Sequence, residues 1–358
     1  MKLRIDSPIP AWGARLRAAA DRCLPSPLRG HGGRLFDVVA LLLVLALPRL
    51  GFLDAGGMQI AVNVGLYVLL ALGLNVVVGF TGLLDLGYIA FYAIGAYVYS
   101  FLASGQFGLH WPFLAILPVA AVAAGIFGVS FGAPTLRLRG DYLAIVTLGF
   151  GEIIQIVANN ATGLTNGPQG VYNLDTPSVF GYRIDSSARY YYLLVVLCVL
   201  VVVVVSRLAS SRIGRAWAAI REDEDAARAA GINTVRMKLL AFCIGAMIGG
   251  LAGPVFAANE AFVSPVSFSL DQSILVLAMV VLGGMGSVRG VIVGAAILVL
   301  VPEFLRSYAA ARFIVVGAIM VLMMIVRPEG LLPSRIRSLE IHRRRRVGAS
   351  APAEAAEP

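Results

Sequence analysis

YYYLLVVLCVLVVVVVS, residues 190–206, contains no charged side chain, and Arg189 and Arg207 close it on either side. A run this long and this apolar approaches the roughly 20 residues that an α-helix needs to cross the hydrocarbon core of a bilayer. It is one of ten such segments, placed at roughly 36–53, 58–80, 84–103, 111–133, 142–158, 190–206, 237–257, 271–284, 290–305 and 310–326. The whole chain of 358 residues agrees with them, since 59% of it is hydrophobic and only 14% charged. The fold class expected is all-α, a polytopic membrane helix bundle of about ten transmembrane segments.

The distribution of basic residues orients the bundle. With the N-terminus placed inside, Arg49, Arg183, Arg189, Arg306 and Arg312 fall outside, and the other 24 of the 29 Lys and Arg residues fall inside. An excess of Lys and Arg in short loops marks the cytoplasmic side, so both termini are expected in the cytoplasm. The net charge of +9 then reads as topology rather than as a nucleic-acid surface. Segments 142–158 and 271–284 are short, and each is either a tilted span or a re-entrant piece surrounded by protein or a water-filled cavity. Residues 1–35 form a basic tail that lacks a signal peptide's apolar core and cleavage site, and it is expected to stay and touch anionic lipid. Residues 36–333 form the transmembrane domain, with a long inner connection at 207–238. Residues 334–358, with Arg343–Arg346, read as a disordered basic tail whose arginines anchor the topology.

Catalytic signatures are missing. GGMGSVRG (283–290) lacks the Lys-Ser/Thr ending of a phosphate-binding loop and the spacing of a dinucleotide loop. There is no HExxH, no nucleophile elbow and no paired cysteine set, and His31, His110 and His342 are isolated. No cofactor, metal or catalytic residue is expected in this chain, so any transport would be driven by an ion gradient or by a partner. Gly245, Gly249 and Gly253, like Gly290 and Gly294, stand four apart and let helices approach closely. GFTG (79–82) and GGMG (283–286) each precede an apolar segment and hint at an internal duplication. Polar groups at bilayer depth cost about 2.5–3.5 kcal/mol when charged and face a bundle interior or cavity. By that rule Asn75, Asp85, Tyr88, Phe91, Glu152 and Gln155 are candidates to line a path. For each, the other role is a helix-to-helix hydrogen bond or a cap.

The inner connection holds an island of charge, AIREDEDAARAAGIN (219–233). Its composition predicts a helix from about Ile213 or Ala219 to Ala230, stopped by Gly231. Glu224 and Arg228 stand at i, i+4 in the favourable order, worth about 0.2–0.5 kcal/mol. Ala226, Ala227 and Ala230 would give that helix a small, flat face for another protein. A solvated helix joining two spans is the other reading that spacing allows.

Asp225-Ala226-Ala227 followed, after three intervening residues, by Gly231 resembles the EAA---G signature of ABC-importer permeases, with Asp in place of the usual Glu. Residues 73–97, 147–160, 264–295 and 327–333 are similar to the LivM-type permeases of high-affinity branched-chain amino-acid import, a resemblance that covers about residues 36–333. It implies a membrane subunit of a bacterial inner-membrane importer that moves leucine, isoleucine and valine. The implied partners are a LivH-type second permease, two cytoplasmic ATPases that hold ATP and Mg, and a periplasmic substrate-binding protein. Asp225, Ala226, Ala227 and Gly231 would then be the ATPase-coupling residues, with Glu224 and Arg221 as flanking contacts. Importers of urea or short amides use closely similar permeases. A gradient-driven carrier or channel would have no use for such an island.

Overall fold

The computed structural model describes residues 44–46, 48, 54–136, 138, 140–179, 181–306, 311–327 and 330–332. The expected tails 1–35 and 334–358, and most of segment 36–53, lie outside the described residues. Helix α1 (Ala55–Leu74) continues without a break into a π-helical stretch, Asn75–Phe80. Then follow α2 (Ile89–Leu102), α3 (Phe113–Thr135), α4 (Asp141–Asn160) and α5 (Ser187–Ser210). Two short helices, α6 (Arg212–Glu222) and α7 (Glu224–Ala229), lead to the long α8 (Thr234–Glu260). Helices α9 (Leu270–Gly283), α10 (Val288–Phe304) and α11 (Ala311–Val326) complete the bundle.

Among the described residues six helical stretches are long and apolar enough to cross a membrane: Gly56–Phe80, Phe113–Thr135, Asp141–Asn160, Ser187–Ser210, Thr234–Glu260 and Pro265–Gly283. The two segments that looked short are lengthened locally. The fifth becomes a 20-residue helix, and a 3₁₀ turn at Pro265–Phe268 leads into α9. Helix α2 is the opposite case, with only 14 residues. Asp85 Oδ1 accepts a hydrogen bond from Gly87 N at 3.0 Å, and Gly82 takes a left-handed φ of +74°. The chain between Phe80 and α2 is therefore folded back rather than helical.

Helix α8 is the centre of the bundle and packs against α1, α2 and α3. Its small residues permit this. A Cβ on Gly253 would run into the backbone of Gly95 and Ala96, and one on Gly250 would lie 2.5 Å from Ala124 Cβ. Gly245 meets Val77 of the π stretch in the same way, at 2.6 Å. A second close seam joins α9 and α10, where Gly290 and Gly294 lie on Gly283. In water such seams would be drawn together by the hydrophobic effect. In lipid, close van der Waals packing of small residues takes that part.

The helix ends sort into two groups. At one end four two-residue strands interrupt the all-α pattern. β1 (Val171–Tyr172) pairs antiparallel with β4 (Phe262–Val263), and β2 (Ser178–Val179) with β3 (Tyr182–Arg183). Ser104 bridges Leu174 beside them. The other end gathers residues 79–82, 207–238 and 284–290, and with them Arg207, Arg212, Arg215, Arg221, Arg228, Arg236, Lys238 and Arg289. This is the basic end.

Candidate coupling site at the basic end

Helix α6 is capped by Ser211, whose Oγ accepts from Ile213 N at 3.1 Å and Gly214 N at 3.3 Å. That cap satisfies two of the first-turn donors that a helix leaves open. Gly214, Trp217 and Ile220 form its buried face. The helix does not run on to Ala230 as its composition predicts. Asp223 is extended (φ −156°, ψ 113°), and its Oδ1 accepts from Asp225 N and Ala226 N, both at 2.9 Å. A short acceptor side chain thus competes with the helix for backbone donors, breaks it, and caps a second helix, α7. The stop at Gly231 is as expected. Gly231 has φ +84°, with Ile232 N bonded to Ala227 O at 3.1 Å and Gly231 N to Arg228 O at 3.0 Å. These two bonds make a Schellman closure, which needs a left-handed residue at that position.

The alanines divide. Ala227 is buried, while Ala226 and Ala230 are exposed, so the three do not share one outward face. Asp225 is exposed and lies 3.6 Å from Arg228. Glu224 is turned inward instead. Its Oε2 accepts from Lys238 Nζ at 2.6 Å, and its Oε1 lies 3.3 Å from Arg228 Nη2. Lys238 belongs to the first turns of α8, and its side chain is only 5% exposed.

Arg221 is also turned into the chain. Its Nη1 donates to the carbonyl of Gly79, inside the π-helical stretch. A Cβ on Gly82 or on Gly286 would each come 3.1 Å from the Arg221 side chain, so both glycines make room for it. Beside it Trp217 is fully buried and lies parallel to Phe80, with ring centres 6.3 Å apart. The indole N–H donates to Met237 O at 2.8 Å. Asn75, one of the candidate path residues, is held in the same region, where its Oδ1 accepts from Gly286 N at 2.8 Å. The charged island is therefore seated on the end of α1, the start of α8 and the α9–α10 turn together.

Sequence reasoning missed Trp217, Lys238 and Phe80. Two of them had a signal. Trp217 precedes Arg221 by one helical turn, and Lys238, which with Lys2 makes up all the lysine in the chain, stands at the mouth of an apolar segment where a charge needs a partner.

The other candidate path residues do not form one group. Asp85 is buried, and its Oδ2 has no hydrogen-bond partner among the described residues. It lines a small cavity, about the size of one water molecule, with Phe91, Thr135, Thr147, Phe150 and Phe242. Tyr88 points elsewhere, donating to Gly245 O of α8 at 3.1 Å, although its ring meets Phe91 edge-on. Gln155 Nε2 donates to Pro265 O at 3.3 Å, tying α4 to the 3₁₀ turn. Glu152 lies one turn before it and is partly exposed. No group of three or more His, Cys, Asp or Glu side chains suited to a metal occurs among the described residues.

The family described as "Branched-chain amino acid transport system / permease component" matches residues 57–326. The chain is 43% identical over 323 residues to the high-affinity branched-chain amino acid transport system permease protein LivM of Escherichia coli K12, covering 84% of this chain and 75% of that protein. The LivM protein of Salmonella typhimurium is 42% identical over the same length and coverage. The permease protein LivH of Salmonella typhimurium is 28% identical over 285 residues, 74% of this chain and 91% of that protein. No solved structure gives a significant match.

Proposed function

The chain belongs to the family of branched-chain amino-acid transport permease components, and from that premise we propose that it is a membrane subunit of an ATP-driven importer for leucine, isoleucine and valine. The observation that carries the substrate class is the 43% identity to a LivM protein over 84% of this chain. The chain itself has no catalytic role in this reading. Two cytoplasmic ATPases hold ATP and Mg and supply the energy, a periplasmic protein delivers the amino acid, and a LivH-type permease forms the other half of the pore. The likeness of this chain to a LivH protein supports a pair of related permeases.

The setting is the bacterial inner membrane, crossed about ten times, with both termini and the basic end in the cytoplasm. Basic residues concentrated at one end of the bundle support that orientation. Asp225, Ala226, Ala227 and Gly231 present α7 to the ATPase, with Ala227 acting from inside as its seat. Glu224 and Arg221 hold the dock to the membrane helices rather than reaching outward. Asp85, Tyr88, Phe91, Asn75, Glu152 and Gln155 belong to the moving parts beside the path. Asp85 is the strongest of them, because a buried carboxylate oxygen without a partner among the described residues is costly unless a solute, a water or a proton meets it.

Uptake of labelled leucine by cells with and without the gene tests this reading. Loss of a leucine component that isoleucine and valine inhibit is the expected result, and Asp85→Ala should reduce that component. Unchanged leucine uptake in cells shown to express the protein would overturn the substrate class and point to urea, an amide or another small solute. Uptake unaffected by Asp85→Ala and by Glu152→Ala would make both residues structural only.

A further inference from the structure

We infer that the π-helical stretch Asn75–Phe80 is a hinge of this permease, and that Arg221 and Asn75 form the latch that holds it. The inference rests on the reading of 207–238 as the ATPase dock. A π turn takes one more residue than an α turn, is rare, and is frequently found at functional positions. Here it lies inside the packing rather than at a frayed end, for Asn75, Val76, Val77, Val78 and Gly79 are all buried.

Such a turn persists only when its surroundings hold it. Two hydrogen bonds from outside the helix do so, and each comes from a different element. Gly286 N, in the α9–α10 turn, donates to Asn75 Oδ1. Arg221, on α6, donates to Gly79 O. The fit leaves no slack: a Cβ on Gly79 would lie 2.6 Å from Gly286 N, and one on Gly286 would lie 3.0 Å from Gly79 O. The Trp217–Phe80 ring contact fixes the far end of the π stretch to the same helix α6. One short helix of the dock therefore grips the π turn at two successive residues, Gly79 and Phe80.

This arrangement converts a pull on the dock into a rotation. α6 is too short to bend, and the pair Glu224–Lys238 joins its neighbour α7 to the start of α8. When α6 shifts, the Arg221 guanidinium leaves the Gly79 carbonyl, and the π turn that it held is free to relax to α-helix. Losing the extra residue of the π turn moves everything beyond it by one helical position, about 100° around the axis. The element beyond it is the folded-back stretch that carries Asp85. Arg221 is thus a positioning residue, which acts on the path through the backbone of α1.

The test uses the assembled transporter in proteoliposomes, with leucine uptake and ATP hydrolysis read on the same preparation. Arg221→Ala and Asn75→Ala should each lower the leucine moved per ATP hydrolysed by about 5- to 150-fold, the usual range of a coupling between two sites. Arg221→Lys, which keeps one donor, should recover part of it. A merely structural role would reduce the amount of assembled complex and leave that ratio alone. A ratio unchanged in either alanine variant overturns the latch, and if Arg221→Ala fails to assemble, Asn75→Ala decides. Amide hydrogen exchange over residues 75–82, with and without ATP, separates this inference from the substrate reading. A complex that ignores leucine but shows an ATP-dependent change there, lost in Arg221→Ala, keeps the latch and breaks the substrate class. A complex that imports leucine with no such change breaks the latch alone.

Discussion

The two ends of the bundle differ in how deeply their ion pairs are set. At the basic end, Lys238 and Glu224 meet with side chains 5% and 21% exposed, and Arg221 passes between glycines to a backbone carbonyl of another helix. At the strand end, Asp185 and Arg189 pair with side chains 59% and 56% exposed. His110 and Asp175 likewise meet in the open, 61% and 42% exposed. A pair in water gains little, because solvent already stabilises each partner. A buried pair is costly to assemble and more costly to break. Beneath its exposed charges the basic end thus has an inward set, Lys238, Glu224 and Arg221, that ties the dock to the membrane helices, whereas the described pairs of the strand end stay in contact with water.

The largest effect should come from breaking the buried pair. Lys238→Met takes the lysine from a largely covered Glu224, which keeps Arg228 beside it at 3.3 Å. Removing one partner of a buried pair costs about 3–5 kcal/mol, and the remaining arginine places this case near the lower figure. The loss is read as a fall in the thermal midpoint of the purified permease complex. Lys238→Met with Glu224→Leu should recover most of it, since an apolar pair of similar volume is often as stable. A single variant as stable as the parent would remove the difference between the two ends.

Next comes the closure of α7. Gly231 has open space around it, and a Cβ placed there would meet nothing within 4 Å, so only its φ of +84° resists substitution. A left-handed backbone costs most residues about 1–2 kcal/mol, and asparagine less. Gly231→Arg is expected to leave the two permeases assembled while ATP hydrolysis no longer drives uptake. Gly231→Asn should retain most of the coupling, because it keeps the Schellman turn. Normal substrate-stimulated turnover in Gly231→Arg would overturn the assignment of α7 as the dock.

Features with local causes were legible in the sequence, and features with distant causes were not. Lipid imposes internal hydrogen bonding on every spanning backbone, so a run such as 190–206 announces its helix without help from any neighbour. Gly231 was legible for a similarly local reason, since a helix followed by glycine closes in one common way. The break at Asp223 was not, because Asp inside Glu-Asp-Glu-Asp reads as one more polar residue of a helix until its side chain is seen capping the next one. The π stretch NVVVGF looks like any apolar helix. What holds it lies 142 residues away at Arg221 and 211 away at Gly286, beyond any local pattern. Glu224 and Arg221 were read as flanking contacts of the dock. Their inward direction depends on Lys238, Gly79 and Gly82, which only the packing brings near.

The smallest effect is expected at the strand end, and it is the sharper control for that reason. Arg189 lies in the first turn of α5, where it pairs with Asp185 and also donates to Arg183 O at 2.6 Å. Asp185→Asn removes the charge of one partner and leaves the arginine its carbonyl and its water. Exposed pairs of this kind are worth about 0.2–1 kcal/mol, and added salt screens what there is. The thermal midpoint of the Asp185→Asn complex should thus fall slightly at low ionic strength and match the parent at high ionic strength. The fall in Lys238→Met should persist in both, because salt does not reach a side chain that is 5% exposed. A salt-independent loss in Asp185→Asn as large as that in Lys238→Met would mean that the strand end carries load as well, and the contrast between the ends would have to be given up.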